Sequence, residues 1–402
     1  MLKKIFSNTL AQLVAKFFGA GLTLLTTYFT IRLAGIEFYG DLTKILVLVA
    51  VGFTAIDFGL NAEGIRSSKS ESDMRSNTQN ILLARLALSV MVILCLNIIV
   101  FVLPGGYSIE VKSVFWLGSL AIIFQGIYSS GNSWFQYQLS YWKSAVSVIT
   151  GSLFGALLTL YFLKYSPTLS NFVIANTLGY VWMSICTLIL LPKLKFSQYN
   201  LKAVLPLLRR SLILGLILIA SVLAVRIDTI ILGIFRDSLE VGEYGFAYRI
   251  FDVILVLPVF VINAIYPLSI QQSQQKNEST LLDKTTKYLA GISIFIAAIL
   301  WVLSPALGYI RPELSLATSV LKILSLSLPL FYMTAPLMWS LIAQKKDKIV
   351  LGIYIVAAIL NTLLNLAFIP HYGVYAAAIN TGLTELSIYL SLLHFQSKIP
   401  LS

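Results

Sequence analysis

The sequence predicts an all-α polytopic membrane protein of about twelve transmembrane helices in two parallel six-helix lobes, and three observations carry that expectation. Of the 402 residues 58% are hydrophobic and only 11% charged, against roughly 25% charged in ordinary soluble domains. Continuous apolar runs follow one another closely, each near the ~20 residues that a helix needs to cross a ~30 Å hydrocarbon layer. They show no period-two alternation, so helices and not barrel strands follow. Third, the two halves of the chain repeat short patterns at a nearly constant offset.

The runs lie at 9–33, 41–62, 79–103, 111–134, 143–164 and 169–191, and after a basic stretch at 209–235, 243–268, 286–308, 314–342, 349–369 and 374–394. The first is expected to be an uncleaved helix, because it is too long for a signal peptide and no small-x-small cleavage site follows it. The expected division is an N-terminal lobe at 1–195, a cytoplasmic linker at 196–208 and a C-terminal lobe at 209–402. No loop exceeds about 17 residues, which leaves no room for a soluble catalytic domain.

Orientation follows from the Lys and Arg of alternate loops. Of the 29, eighteen fall on the side of the two termini and four (Lys112, Lys164, Arg236, Arg311) on the other, which places both termini in the cytoplasm. The formal charge of +12 is therefore no sign of nucleic-acid binding, since the basic residues sit between apolar runs and form no face of their own.

Tyr39-Gly40-x-x-x-Lys44-Ile45 opens the second run, and Tyr244-Gly245-x-x-x-Arg249-Ile250 opens the eighth, 205 residues later. The same offset takes Lys143 onto Lys348, and Asn176-Thr177 meets Asn380-Thr381 at an offset of 204. Six spans bring each half back to the face it entered from, so the repeats are parallel, related by an axis along the membrane normal. Two such bundles facing each other leave a central cavity, the physical basis of alternating access.

The remaining seven basic residues lie within the spans or at their rims: Lys16, Arg32, Lys44, Arg85, Arg226, Arg249 and Lys322. Asp57, Asp228, Asp252 and Glu385 lie at similar depth, with Asp41 nearer the external end. A charge facing lipid at mid-bilayer costs ~2.5–3.5 kcal/mol, so these groups must pair, snorkel, or face protein or water. Arg249 and Asp252, three apart, share a helix face and are expected to pair. Arg226 and Asp228, two apart, diverge. Arg32 and Arg85 sit about a turn from the ends of their runs and can snorkel. The surplus is positive, and Arg forks onto phosphate oxygens. Lys16, Lys44, Arg226, Arg249 and Lys322 are therefore the candidates for a cavity that takes an anionic, phosphate-bearing substrate. The alternative is that they pair with acids on neighbouring helices and fix packing.

Polar stripes run with helical spacing. Gln12, Lys16, Gly19, Thr23, Thr27 and Thr30 share a face of the first span, Gln125, Tyr128, Asn132 and Gln136 of the fourth, and Asn361 and Asn365 of the eleventh. Such groups either line a lumen or bond helices together. No cofactor is indicated. There is no G-x-x-x-x-G-K-[ST] loop. His371 and His394 show no metal-ligand spacing, and Cys95 and Cys186 fall inside apolar runs, so neither a disulfide framework nor a thiolate metal site is implied.

Several stretches resemble the Wzx-type polysaccharide flippases of the multidrug/oligosaccharidyl-lipid/polysaccharide (MOP) exporter superfamily. They are Asp57-Phe58-Gly59-Leu60-Asn61, Trp134-Phe135-Gln136, Arg226-Ile227-Asp228-Thr229-Ile230-Ile231-Leu232-Gly233, Val241-Gly242-Glu243-Tyr244-Gly245, and Tyr372-Gly373-Val374-Tyr375-Ala376-Ala377-Ala378-Ile379-Asn380 running into Glu385. The resemblance covers essentially the whole chain. It implies a MATE-like fold of two six-helix lobes around a cation-rich cavity. It also implies movement of an undecaprenyl-pyrophosphate-linked oligosaccharide, such as an O-antigen repeat unit, to the periplasmic leaflet of a bacterial inner membrane. A proton or sodium gradient is the implied energy source, with Asp57, Asp228 or Glu385 as the coupling acid. Expected partners are this lipid-linked substrate, a polysaccharide polymerase and a chain-length regulator, with the transporter itself a monomer and no enzyme. Lipid II flippases carry fourteen helices, and no extra pair is present here. The alternatives are a multidrug exporter of the same fold, which would want an acidic cavity for cationic drugs, and a glycan polymerase or ligase, which would want a sizeable external loop.

Overall fold

The computed structural model describes residues 2–192, 201–273, 278–310 and 314–397. Side chains at 2–13, 201–203, 259–273, 278–284, 309–310, 343 and 397 fall outside the description. The helices are α1 (Leu2–Ala34), α2 (Ile36–Asp57), α3 (Leu60–Ser67), α4 (Glu71–Val102), α5 (Ile109–Ser119), α6 (Ala121–Tyr137), α7 (Tyr141–Tyr165), α8 (Leu169–Leu190), α9 (Leu201–Phe235), α10 (Ser238–Ser273), α11 (Glu278–Leu303), α12 (Ala306–Ile310), α13 (Ser315–Ala343) and α14 (Asp347–Ser397). No strand occurs among the described residues.

Ten stretches are long and apolar enough to cross a membrane, with α2–α3 and α5–α6 each forming one pass. One of the ten, α14, is two helices joined at Gly373, and α10, of 36 residues, contains the eighth apolar run. Each of the twelve expected passes therefore has its helix. The apolar side chains turned outward are those a lipid-facing surface needs. Met91, Leu94, Ile98 and Phe101 stand exposed three to four apart on α4, as do Ile292, Phe295, Ile299 and Val302 on α11.

The chain divides into two compact units, Met1–Ile219 and Ala220–Ser402, the boundary falling inside α9. In the first, α7 packs on α1 and α8, and α6 on α4 and α8. Small residues let α7 and α8 approach: a Cβ on Gly155 would lie 3.3 Å from the Gly179 Cα. Short loops are closed by side-chain caps. Ser70 accepts from the Asp73 N–H at 3.1 Å while Asp73 accepts from the Ser70 N–H at 3.1 Å, and Ser108 accepts from the Val111 N–H at 3.2 Å.

The second pass is not the single run that the sequence suggests. It breaks between α2 and α3, where Phe58 (φ 46°) and Gly59 (φ 66°) are both left-handed. A Cβ on Gly59 would lie 2.7 Å from the Leu214 side chain, and one on Gly215 would lie 2.7 Å from the Phe58 ring. The early turns of α9 thus press on the break, and hydrophobicity alone could not reveal it.

In the second unit α13 packs on α10, α11 and α14. The break in α14 falls where the sequence separates runs eleven and twelve. Gly373 (φ 55°, ψ −132°) adopts a conformation closed to other residues. The Arg236 guanidinium donates to the carbonyls of Ile369 at 3.2 Å and Pro370 at 3.1 Å, which the ending helix leaves without partners. A Cβ at 373 would also collide with the Glu240 carboxylate. Gly373→Ala should cost about 1–3 kcal/mol from backbone strain alone, measured as a lower thermal midpoint of the purified protein. Gly352→Ala, within the same helix and with nothing within 4 Å of the new Cβ, should not lower it.

Candidate functional site

The charged centre of the second unit is built by α9, α10 and α14. Nη2 of Arg226 donates to both oxygens of Asp252, at 2.8 and 2.7 Å, and the guanidinium lies 4.6 Å over the Tyr248 ring. Tyr248 is held in turn by donating its hydroxyl to the Val225 carbonyl at 3.2 Å. Both charged side chains stay about a quarter open, at 25% for Arg226 and 26% for Asp252. Nε and Nη1 of Arg226 donate to no protein atom among the described residues.

Two residues further along α9, Asp228 is fully buried. Its Oδ2 accepts from the hydroxyls of Tyr244 at 2.5 Å and Thr381 at 2.8 Å, and its Oδ1 from the Thr229 hydroxyl at 3.1 Å. Beside it runs an amide ladder. Asn361 donates to the Ala224 carbonyl at 2.7 Å, Asn365 to the Asn361 carbonyl at 2.9 Å, and Asn380 to Asn365 at 3.0 Å. These amides tie α9 to both arms of α14. Glu385 is also buried, beside the Thr334 hydroxyl, with no ion pair to Lys or Arg among the described residues.

The first unit centres on Arg85, which is 0% exposed. It donates to Asp57 Oδ1 at 2.6 Å, Asn61 Oδ1 at 2.9 Å, Ser130 Oγ at 3.4 Å and the carbonyls of Ile56 at 3.2 Å and Asp57 at 3.3 Å. Those two carbonyls are the ones that the break after α2 leaves without helical donors. Arg85 therefore clamps the break and holds Asp57, whose side chain is 44% exposed.

Of the expected site residues, the structure gathers Arg226, Asp228, Asn361, Asn365 and Glu385 into the second unit and places Asp57 on the clamp of the first. Lys44 is buried at the start of α2, bonded to Asp41 at 3.1 Å and to the Gly106 carbonyl at 2.7 Å. Lys16 lies on the exposed side of α1, and Arg249 is half-buried on α10. Lys322 is half-buried against the Trp301 ring, 5.7 Å from its centroid. Thr23 spends its hydroxyl on the Gly19 carbonyl at 2.8 Å. Gln125 and Asn132 are half-buried on α6, and the side chain of Gln12 falls outside the described residues.

Two pairings differ from expectation. Asp252, assigned by helix spacing to Arg249, is bonded by Arg226 from the neighbouring helix. Arg85, expected to snorkel, is wholly enclosed, because α4 begins at Glu71 and puts this residue almost four turns inside. Arg85 and Asp252 are the residues that sequence reasoning undervalued. Thr381 was visible only as a member of the repeat, and Tyr244 there and in one of the stretches that resemble the flippase family.

The sequence matches the family described as polysaccharide biosynthesis protein over residues 1–268, and the MatE family over 212–367. A Shigella dysenteriae protein named "Putative O-antigen transporter" is 23% identical over 373 residues, covering 90% of this chain and 92% of that one. Among solved structures, the lipid II flippase MurJ in an inward closed conformation matches with a TM-score of 0.76 at 16% identity, over 96% of this chain and 87% of its own. A MATE protein in a bent conformation matches with a TM-score of 0.66 at 15% identity, over 98% of this chain and 95% of its own. Identities this low speak for the fold alone. The first family match, however, takes in 268 of the 402 residues, and on that ground the chain belongs to the polysaccharide biosynthesis protein family, with the fold that the MurJ and MATE structures share.

Proposed function

We propose that this protein flips an undecaprenyl-pyrophosphate-linked oligosaccharide repeat unit, of O-antigen or a related surface polysaccharide, from the cytoplasmic to the periplasmic leaflet of a bacterial inner membrane. It works by alternating access, draws on an ion gradient, and carries out no chemical step. The family and the O-antigen transporter relative support the substrate class. The observation that carries the reading is Arg226, a guanidinium on a membrane helix whose Nε and Nη1 donate to no described protein atom. Unspent donors on a cation are costly in hydrocarbon, and phosphate oxygens are their natural acceptors.

Lys16, Arg249 and Lys322 add positive charge along the route, whereas Lys44 is neutralised by Asp41 and stays structural. Among the acids, Asp228 is the favoured coupling group, because its buried oxygens, ringed by hydroxyls, suit a proton or a sodium ion. Asp57 and Glu385 are the other two candidates. Both termini lie in the cytoplasm, the unit of function is a monomer, and a polymerase with its chain-length regulator receives the product.

The test is complementation. In a strain lacking its own repeat-unit flippase, this chain should restore surface polysaccharide, seen as a ladder on gels, and clear the lipid-linked repeat unit that accumulates without it. Resistance to cationic drugs should not change. Raised drug resistance without polysaccharide would instead support the multidrug exporter.

A further inference from the structure

We infer that Asp252 is a resident competitor for Arg226, and that a pyrophosphate ester takes the guanidinium by displacing it, which makes Asp252 a specificity-determining residue. The inference rests on the flippase reading above.

A guanidinium presents paired, parallel N–H donors along two edges, Nε with Nη2 and Nη1 with Nη2. Nη2 belongs to both. That is the nitrogen on which Asp252 places its two oxygens, at 2.8 and 2.7 Å. While Asp252 is there, a phosphate can take single bonds from Nε or Nη1 but cannot fork onto either edge. Replacing one carboxylate by one singly charged anion gains little, since one negative charge leaves as another arrives. A phosphate monoester brings about 1.5–2 charges on one phosphoryl group at neutral pH; a pyrophosphate ester brings more charge and a second phosphoryl group to occupy the remaining donors, so the exchange favours the pyrophosphate most. Asp252 thus sets a threshold that small anions do not cross.

The surroundings suit an exchange. Asp252 is 26% exposed, so its carboxylate is not sealed in place and has room to move off the guanidinium. The guanidinium stays aimed when its partner leaves, because it rests 4.6 Å over Tyr248, itself fixed to the Val225 carbonyl. Asp228 cannot take over, since its oxygens already accept from Tyr244, Thr381 and Thr229. The Arg85–Asp57 pair is the opposite case: its guanidinium is 0% exposed and its donors are spent on five acceptors, so no ligand can reach it.

The experiment measures binding of farnesyl pyrophosphate and farnesyl monophosphate to the full chain in nanodiscs by calorimetry. The wild type should hold the pyrophosphate about tenfold more tightly, the worth of one added charged hydrogen bond. Asp252→Asn should tighten the monophosphate about tenfold and bring the two affinities together. Asp252→Ser should do the same, which covers a misfolded amide variant, and Asp252→Glu should keep the wild-type preference. If the neutral variants keep that preference or weaken both ligands, Asp252 is a structural partner only and the inference falls alone. If the wild type binds neither probe, or Arg226→Ala binds both as the wild type does, the site assigned to the flippase falls with it.

Discussion

Arg85→Ala should cost about 3–5 kcal/mol of stability, as the loss of one partner from a buried ion pair does, and the variant should accumulate poorly in the membrane. The size of the effect does not come mainly from Asp57, which is 44% exposed and can be hydrated. It comes from the acceptors left behind. The carbonyls of Ile56 and Asp57 and the Asn61 amide oxygen all lose a donor, at about 1–3 kcal/mol for each acceptor that stays buried. Arg85→Lys should recover only part of the loss, because one ammonium cannot reach acceptors spread around a planar fork. The check is the thermal midpoint of the solubilised protein with its yield in membranes. A wild-type midpoint for Arg85→Ala would show that the break after α2 stands without its clamp.

Arg226→Ala should behave in the reverse way, abolishing surface polysaccharide while leaving protein levels close to wild type. Arg226 and Asp252 are each about a quarter exposed, whereas the Arg85 guanidinium is 0% exposed, so breaking this pair should cost the fold less than breaking that one. Transport loses the charged donors aimed at the phosphates, and at 1.5–3 kcal/mol for each charged hydrogen bond a two-bond loss is at least about a hundredfold. Arg226→Lys should fall between, keeping the charge without the fork. The measurement is surface polysaccharide against immunoblotted protein in the flippase-deficient strain. Full polysaccharide from Arg226→Ala would remove the electrostatic basis of the proposed function.

The passes were legible in the sequence because a span announces itself by length and hydrophobicity, two properties of the chain alone. The end of run eleven was legible too, since Pro370 and Gly373 punctuate it. What could not be read were partnerships between helices. Spacing on one helix assigns Asp252 to Arg249, and nothing in a linear pattern says that Arg226, 26 residues earlier, takes both its oxygens. Arg85 was misjudged for a related reason: hydropathy starts the third run at 79, whereas α4 starts at Glu71, with the mostly polar residues 71–78 forming two further turns. Asp228 stood out as a buried acid, but its hydroxyl shell joins Thr229, Tyr244 and Thr381, which are up to 153 residues away. The Asp57-Phe58-Gly59-Leu60-Asn61 stretch was visible as a likeness, yet its left-handed turn is a consequence of packing.

That turn makes two distant codons answerable to each other. Were Gly59 replaced by a residue that lets the helix run on, the carbonyls of Ile56 and Asp57 would regain helical donors, and the guanidinium sealed beside them would lose two of its five acceptors. Were Arg85 lost first, the kink would persist with nothing to close it. Neither change is tolerable as a first step, so drift cannot erode the pair one member at a time, and lineages should inherit or discard the two positions as a single character.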